Sequence, residues 1–375
     1  DFSQHIVIDN GSHFVKAGFN AENAPRILLP NVTGALKQRN FNIFWDDPKT
    51  YIGRECFPNA HNLDLKYPLE KIGLPDYEAM EEIWLYIFFN QLKVSPESHN
   101  VFLTESSFSN DTSREKLAQI MFEKFNIFNI HIEPQGTMSL WSTAKSSGLV
   151  VESDHLSTEI IPVYEKFIIQ HAVKCSSIAG LELTKEFENV FARRLPLYSK
   201  VVCQKEASRQ VKEMMGELLS DEEYNKVISS KEEFKSFVLP DGNKVEIGNE
   251  RYTIPRSIFE PELLNRDEQP LHELIKDSIL SCDINIRKEL ASNIMLGGGN
   301  TLIKGFPEML KKKLEKTMGK HYEGVIKVSS SKDRQYAVWT GASVVCSISN
   351  FQHIWVSKND YEEHGSRAFH KNYIS

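Results

Sequence analysis

Two stretches of the chain repeat one short pattern, and this repetition constrains the fold more than any other feature of the sequence. Residues 6–19 read IVIDNGSHFVKAGF, and residues 149–167 read LVVESDHLSTEIIPVYEKF. Each copy has an apolar run, an acid (Asp9 or Glu152), a few small or polar residues and a second apolar run. The pattern predicts one β-hairpin in each half of the chain. An acid at the end of a strand, followed by such a turn, is typical of sites that hold a phosphate and its metal.

Length and composition limit the class of protein. A chain of 375 residues is expected to form two or more domains. The net charge of −7 argues against nucleic acid or an anionic membrane as the main partner. Five widely spaced cysteines favour reduced thiols, and the apolar run IWLYIFF at 83–89 is too short to span a membrane. We therefore expect a soluble protein of the cytosol or the nucleus.

Helix and strand patterns alternate along the chain, which predicts the α/β class. Residues 76–92 and 111–125 have helical spacing, and the second helix is expected to begin with a capping box from Thr112 to Glu115. IMLGGGNTLIKGF at 294–306 reads as a strand, a glycine turn and the start of a helix. Because no Pro/Ser-rich linker separates the domains, we expect the chain to cross between two lobes more than once.

Several residues are candidates for a phosphate site. Gly11–Ser12 and Gly297–Gly299 follow apolar strands, and such turns either bind anions through backbone N–H groups or are simple tight turns. Asp9 fits either a ligand of hydrated Mg²⁺ or an aspartate that caps its own turn. In RQVKE at 209–213, helical spacing alone favours a surface set of ion pairs.

The residues just described resemble the actin family, and the resemblance covers nearly the whole chain. The segments that carry it, in actin order and at nearly actin spacing, are DNGSHFVKAGF, AQIMFEKFN, LPDG, IGNERY, CDINIRKEL and FQHIWVSKNDY. The chain looks like a divergent actin or an actin-related protein. The resemblance implies an actin-like fold, in which two lobes of duplicated ribonuclease-H-like domains form four subdomains around a nucleotide cleft. Residues 1–135 and 335–375 would form the outer lobe, with subdomain 2 at about 31–67. Residues 136–334 would form the inner lobe, with subdomain 4 at about 179–268.

The resemblance also implies roles for single residues. Gln135 would orient the water that attacks the terminal phosphate of ATP, while Asp9 and Glu152 would hold Mg²⁺ through water. The residues implied to bind nucleotide are Asp9, Gly11, Ser12, Lys16, Gly180, Arg209, Lys212, Glu213, Gly298 and Gly299. The implied cofactor is ATP or ADP with Mg²⁺, and an empty cleft is the alternative.

The sequence departs from the actin pattern around the phosphates. The second turn of actins reads Asp-Ser-Gly-Asp-Gly, but residues 152–156 of this chain read ESDHL, so both glycines are lost. His13 replaces a glycine of the first turn, and Glu159 replaces a histidine on the catalytic side. We expect these changes, above all Glu159 and His155, to impair hydrolysis. His13 and His155 either fill an empty phosphate site, which we favour, or contact phosphate when they are protonated.

Two surfaces implied in polymerisation also differ. The subunit-contacting loop matches residues 37–49, whose aromatic and apolar side chains make it a candidate partner-binding element: Phe41, Ile43, Phe44 and Trp45. The inter-strand plug matches 263–272 and is highly charged. These features favour a structural subunit of a cytoskeletal or motile assembly in the cytoplasm, with other cytoskeletal proteins as partners and weak or absent ATP hydrolysis. An ATP-hydrolysing, filament-forming actin is the alternative, and a nuclear chromatin-remodelling subunit is a third.

Overall fold

The computed structural model describes residues 4–37, 50–70, 74–194, 204–239, 242, 244–348 and 353–370. Over these residues helices and strands alternate, as the sequence predicts. The strands are β1 (Ile6–Asn10), β2 (Phe14–Phe19), β3 (Ile27–Pro30), β4 (Thr33–Leu36), β5 (Tyr51–Ile52), β6 (Leu63–Lys66), β7 (Asn100–Glu105), β8 (Asn129–Pro134), β9 (Gly148–Ser153), β10 (Thr158–Tyr164), β11 (Phe167–Ile168), β12 (Lys174–Ser176), β13 (Lys235–Val238), β14 (Lys244–Ile247), β15 (Ile294–Gly297), β16 (Val328–Ser329) and β17 (Val356–Ser357). The α-helices are α1 (Tyr77–Leu85), α2 (Asp111–Glu123), α3 (Gln135–Trp141), α4 (Gly180–Arg194), α5 (Gln204–Met215), α6 (Asp221–Ser229), α7 (Glu250–Arg256), α8 (Leu271–Ser281), α9 (Arg287–Ser292), α10 (Phe306–Met318), α11 (Ala337–Ser347) and α12 (Lys358–His364).

Two large sheets share one topology. The first has the order β17-β8-β7-β1-β2-β3, and the second has the order β11-β10-β9-β15-β16, with β12 also paired to β10. In each sheet an antiparallel hairpin, β1–β2 or β9–β10, continues through a parallel neighbour of its first strand. The predicted hairpins are therefore confirmed, and they occupy equivalent places in two similar sheets. Two small sheets, β5-β4-β6 and β13-β14, complete the described strands.

The central strands are buried on both faces, which is why their sequences are apolar runs and not alternating patterns. Every residue of β1, β7 and β9 is buried. Helices α3 and α11 pack together between the two sheets. A Cβ on Gly341 of α11 would lie 1.8 Å from the carbonyl oxygen of Met138 in α3, so only glycine permits this close crossing.

Parallel strands bring polar residues to one edge of each sheet. In the first sheet, the carboxyl ends of β1, β7 and β8 place Asp9, Glu105 and Gln135 side by side. In the second, the ends of β9 and β15 place Glu152 opposite Gly297. The chain thus builds two similar edges from segments that are far apart in sequence.

The structure corrects one detail of the helix predictions. The second predicted helix is present as α2, but its N-cap is Asn110 and not Thr112. The Asn110 side chain accepts a hydrogen bond from the backbone N–H of Ser113 at 2.9 Å. Thr112 already lies inside the first helical turn, so the proposed Thr112–Glu115 capping box is wrong. Asparagine caps as well as or better than threonine, and its backbone is extended here.

The helix predicted at 76–92 is also present, although it changes character partway along. It begins at the cap residue Asp76, runs as α1 to Leu85 and continues as a π-helical segment, Tyr86–Leu92. Within the described residues, none of the helices is both long enough and apolar enough to cross a bilayer.

Asn110→Ala should destabilise the protein by about 1 kcal/mol, because one N–H group at the start of α2 loses its acceptor. Thr112→Ala is the matched control and should change the free energy of unfolding by less than about 0.5 kcal/mol. Urea unfolding of both variants checks this. A larger loss for Thr112→Ala than for Asn110→Ala would contradict the assigned cap.

Candidate functional site

The candidate site lies where the turns of the two hairpins face each other. Two cavities meet there. The first, of about 210 Å³, lies beside α4 and α5, and the second, of about 120 Å³, lies beside β7 and α3. The residues lining both are Gly11, Ser12, Lys16 and Asp154.

The acid of the first hairpin is fully buried and is hydrogen-bonded by three side chains. Lys16, which lies opposite Asp9 in the hairpin, donates from Nζ to Asp9 Oδ2 at 2.8 Å. The other oxygen, Oδ1, accepts from Thr104 Oγ1 at 2.8 Å and from Gln135 Nε2 at 3.0 Å. Both oxygens of Asp9 are thus bound by the chain itself.

The ammonium group of Lys16 is the cation at the centre of the site. Burial alone would lower the pKa of Lys16. The carboxyl groups of Asp9, Asp154 and Glu152 oppose that effect and raise the pKa to about 12. Lys16 therefore stays charged, and its charge is already balanced by acids of this chain.

The second hairpin places an acid opposite an acid. Glu152 lies opposite Glu159 in the β9–β10 register, at the position that corresponds to the Asp9–Lys16 pair. Glu152 is buried, accepts from Ser139 Oγ at 2.5 Å and packs against Gly297, where a Cβ would lie 2.3 Å from Glu152 Oε2. Burial, with the nearby charge of Asp154, raises the pKa of Glu152 well above its usual value. Burial of this acid therefore opposes its ionisation, while the nearby Lys16 favours the charged form.

Glu159 and Asp154 are perturbed in the same direction. Burial is the main cause for Glu159, and together with the charge of Asp154 it raises the pKa to about 7, although serine hydroxyls act against this shift. Burial likewise raises the pKa of Asp154, and Lys16 opposes the shift. Gly298, which has a φ of +79°, lies against this turn: a Cβ there would be 2.3 Å from the carbonyl oxygen of Ser153. Only glycine allows the two turns to approach so closely.

The histidines of the two turns contact each other. The ring centroids of His13 and His155 are 4.6 Å apart, with an angle of 39° between the ring planes. Burial lowers both pKa values well below the usual one, and the positive charges of Arg209, Lys212 and Lys205 add to this effect. Both rings are therefore neutral at neutral pH. Among the described residues, His13 Nε2 has no hydrogen-bond partner.

The residues predicted on the adenosine side lie along the first cavity. Lys212 donates from Nζ to the carbonyl oxygen of Gly180 at 2.9 Å, and burial lowers its pKa to about 8. Arg209 pairs with Glu206 at 2.6 Å and with Glu213 at 2.5 Å. The Arg209–Glu213 ion pair that helical spacing favours in 209–213 is thus present, and Glu206 adds a second pair from outside this stretch. Apolar and polar side chains complete the wall of the cavity: Leu28, Leu302, Ile303, Gln335 and Tyr336.

The structure brings most of the predicted residues together. Those that line the first cavity are Gly11, Ser12, Lys16, Gly180, Lys212, Glu213 and Gly299. Those that line the second are Asp9, Gln135 and Glu159, with Gly11, Ser12 and Lys16 shared. Arg209, Glu152 and Gly298 lie behind these walls. The predicted partner-binding side chains at 41–45 lie outside the residues that the structure describes.

A comparison with protein-family models identifies the family. The family model described as Actin matches residues 1–373. The chain belongs to the actin family. Its mixed α/β sheets and helices are those of an actin-like fold. Actin-family proteins generally bind ATP or ADP with Mg²⁺.

The residues on the phosphate side do not fit a metal–triphosphate group in this arrangement. Asp9 and Lys16 are bound to each other, and Glu152 is buried against Ser139 and Gly297. Across the described ranges, no group of three or more metal-ligating side chains comes together. The turn residues His13 and His155 are in contact where glycines would leave space. The adenosine side, in contrast, keeps an open cavity.

Sequence reasoning did not identify several residues that hold the site. Thr104, Ser139 and Glu206 bind Asp9, Glu152 and Arg209 respectively. The sequence does indicate a different contact of the site, between Asp9 and Lys16, because the length of the turn sets the hairpin register that pairs them. The others come from segments whose approach only the tertiary structure determines.

Glu159→Gln should stabilise the protein at pH 8 by about 3 kcal/mol. The pKa of Glu159 rises from 4.5 to about 7 because burying its charged form costs free energy, and glutamine avoids that cost. The sign follows from proton binding. The folded state binds a proton more tightly than the unfolded state, so the stability from Glu159 is present below pH 4.5 and is lost as the pH rises to about 7.

The difference in stability between the variant and the parent protein should therefore grow between pH 4.5 and pH 7, as measured by urea unfolding. The exposed acid Glu323 provides the matched control, since Glu323→Gln removes the same charge at an exposed position and should change the free energy of unfolding by less than about 0.5 kcal/mol. An equal stability of Glu159→Gln and parent at pH 8 would refute the assignment.

Proposed function

We propose that this actin-family protein is a structural subunit of a cytoplasmic cytoskeletal or motile assembly, with a cleft that hydrolyses ATP weakly or not at all. The proposal rests mainly on the acids that surround the ammonium group of Lys16. Its ammonium group, which would face phosphate in the family site, is balanced by Asp9, Asp154 and Glu152. A triphosphate would have to displace these acids or add its charge to theirs.

The residues that would act in ATP hydrolysis also support this proposal. Attack on a terminal phosphate needs an aligned water molecule and oxygens neutralised by metal or cationic groups. The amide of Gln135, which would orient that water, donates to Asp9 Oδ1 at 3.0 Å. Glu159 stands on the catalytic side as a further acid, and accepts from Ser157 Oγ at 3.2 Å. With the amide nitrogen of Gln135 bound to Asp9 and an acid at position 159, we expect the site to align water poorly against a phosphate.

The charged plug at 263–272 favours assembly with other proteins over polymerisation with copies of the same chain. Arg266 pairs with Glu182 at 2.6 Å, and Glu268 accepts from Ser176 Oγ at 2.9 Å and from Ser177 Oγ at 2.5 Å. These contacts hold the segment against its own lobe. Releasing it to bury its charges in a filament would break them and would cost desolvation energy.

A hydrolysing, filament-forming actin remains the second candidate, because the adenosine side is intact. Lys212, Glu213 and Gly180 line a cavity of about 210 Å³. This cavity supports nucleoside recognition but does not supply the groups that phosphoryl transfer requires. Nucleotide binding without turnover would therefore fit the scaffold role.

The purified protein should hydrolyse ATP at least about 100-fold more slowly than a conventional actin, because several positioning groups are changed at once. A phosphate-release assay at saturating ATP and Mg²⁺ measures the rate, and chromatography of the denatured protein shows whether nucleotide co-purifies. Double replacement of the histidines, His13→Gly with His155→Gly, should increase ATP affinity by opening the turns. Turnover at the rate of a conventional actin would exclude the proposal.

The 37–49 loop is proposed to bind a partner protein, and this rests on its aromatic sequence. Joint replacement, Phe44→Ser with Trp45→Ser, should abolish assembly with proteins that co-purify with the native chain. Burial of two such side chains contributes roughly 3–6 kcal/mol before the costs of association. Exposed Phe167 and Phe234 offer a matched control pair on other surfaces. Sedimentation with native partners reads the result, and unchanged assembly of the loop variant would remove this role.

A further inference from the structure

Two cation–π pairs join α5 to the part of the chain that contains the first hairpin. The guanidinium carbon of Arg209 lies 5.3 Å from the ring centroid of Phe14, which is in β2. The ammonium nitrogen of Lys205 lies 3.6 Å from the ring centroid of Tyr67, the residue after β6. Because the face of an aromatic ring attracts a cation, both pairs favour contact between α5 and these strands.

The two histidines form a third contact across the cleft, next to the cation–π pairs. Their ring centroids lie 4.6 Å apart. The ring of His13 also meets the ring of Phe14 edge-on, with centroids 4.5 Å apart. One small pocket is lined by His13, Tyr67 and Lys205 together. The three contacts therefore form one continuous group of side chains, which we call the ring cluster: His13, Phe14, Tyr67, His155, Lys205 and Arg209.

Protons on the histidine rings would add positive charge to a region that is already basic. Burial lowers the pKa of both rings well below 6.5, and the charges of Arg209, Lys212 and Lys205 add to this effect. The first proton would also oppose the second, since a charge on His13 lowers the pKa of His155 further. The closed ring cluster therefore favours neutral imidazole rings.

The nearby acids offer little compensation for such protons. Those that line the same pockets as the histidines are Asp154, Glu206 and Glu213. Glu206 and Glu213 are both paired with Arg209, and Asp154 lies near the ammonium group of Lys16. Basic groups of the chain thus already offset the charges of these acids.

His13 gives a second reason, which concerns hydrogen bonding and not charge. Its Nε2 atom is buried and has no hydrogen-bond partner in the described part of the chain. A protonated imidazole carries a hydrogen on both ring nitrogens. In the closed arrangement Nε2 would then be a buried donor without an acceptor, which costs free energy. Water would satisfy this donor if the ring cluster opened.

The sign of the pH dependence follows from proton binding in the two arrangements. In an open arrangement both rings face water and bind protons as ordinary histidines do, near about pH 6.5. The closed ring cluster binds these protons less tightly. Its stability is therefore complete above pH 6.5 and is lost as the pH falls below that value. Each ring can shift the ratio of open to closed molecules by up to about tenfold per pH unit.

We propose that the ring cluster is a proton-sensitive latch, which keeps the cleft closed at neutral pH and opens when His13 and His155 become protonated. Opening separates α5 from β2 and from Tyr67, and it exposes the first cavity to water. The two cation–π pairs set how firmly the latch closes, and the histidine pair sets the pH at which it opens. The latch goes beyond the proposed function, because its opening needs neither ATP nor hydrolysis.

Hydrogen–deuterium exchange of the full chain, measured by mass spectrometry at pH 7.5 and pH 5.5, tests the latch. Exchange rates are first corrected for the intrinsic effect of pH on amide exchange. Peptides from 13–19 and 204–215 should then exchange about tenfold faster, or more, at pH 5.5, because opening removes their protection.

Three variants separate the parts of the latch. His13→Phe with His155→Phe keeps two rings that cannot be protonated, and it should abolish the increase at pH 5.5. His61→Phe with His321→Phe is the matched control at exposed positions, and it should keep the increase. Tyr67→Leu removes one cation–π pair and should raise exchange at pH 7.5 by about twofold to fivefold.

Equal corrected exchange of the parent protein at both pH values would overturn the proposal, and so would an unchanged increase in the phenylalanine variant of the latch. Loss of the increase in the control would also count against it, because the exposed histidines would then carry the pH response. If the phenylalanine variant does not fold, His13→Asn with His155→Asn takes its place, since asparagine does not bind a proton either. The phosphate-release assay tests the proposed function separately, so either proposal can fail alone.

Discussion

The buried ammonium group of Lys16, surrounded by carboxyl groups from both hairpins, determines the character of the cleft. Asp9 contacts it at 2.8 Å, and Asp154 and Glu152 add their charge from the opposite lobe. In a medium of low dielectric constant such charges interact strongly, and none can be removed without leaving others unbalanced. The interaction that balances the charge of Lys16 thus uses the cation that phosphate would need.

The duplicated fold makes this charge arrangement possible. The two sheets have equivalent hairpins, so position for position Asp9–Lys16 corresponds to Glu152–Glu159. Opposite charges stabilise a cross-strand pair, while like charges oppose each other. In the second hairpin, burial raises the pKa of Glu152 above its usual value and that of Glu159 to about 7, which reduces the repulsion between the two acids. The two hairpins therefore share one backbone arrangement but differ in charge, with an acid–base pair in the first and two acids in the second.

Local sequence was sufficient to predict the strands and helices, but not the contacts between them. Apolar runs and turn residues predict both hairpins, because strand burial and turn geometry are local constraints. The Gln135–Asp9 contact joins residues 126 positions apart, and its length depends on how α3 follows β8. Gly341 shows the same limit, since nothing near it in sequence indicates the close crossing with Met138. The cap at Asn110 differs: asparagine stands one residue before the predicted segment 111–125, but Thr112 and Glu115 also match the capping-box pattern.

The paired histidines line the first cavity and lie close to a group of basic side chains. On the side of the first cavity lie Lys205, Arg209 and Lys212, whose charges lower the pKa of both rings. Of the nearby acids, Asp9 and Glu159 line the second cavity and Asp154 lines both. Glycines at the histidine positions would remove both rings from the wall of the first cavity. Neutral imidazole rings, 4.6 Å apart, occupy this space without adding charge. A histidine that stayed protonated could not do this, because it would face three cations in a buried site. The same burial that keeps the rings neutral thus lets them fill part of the wall of the first cavity.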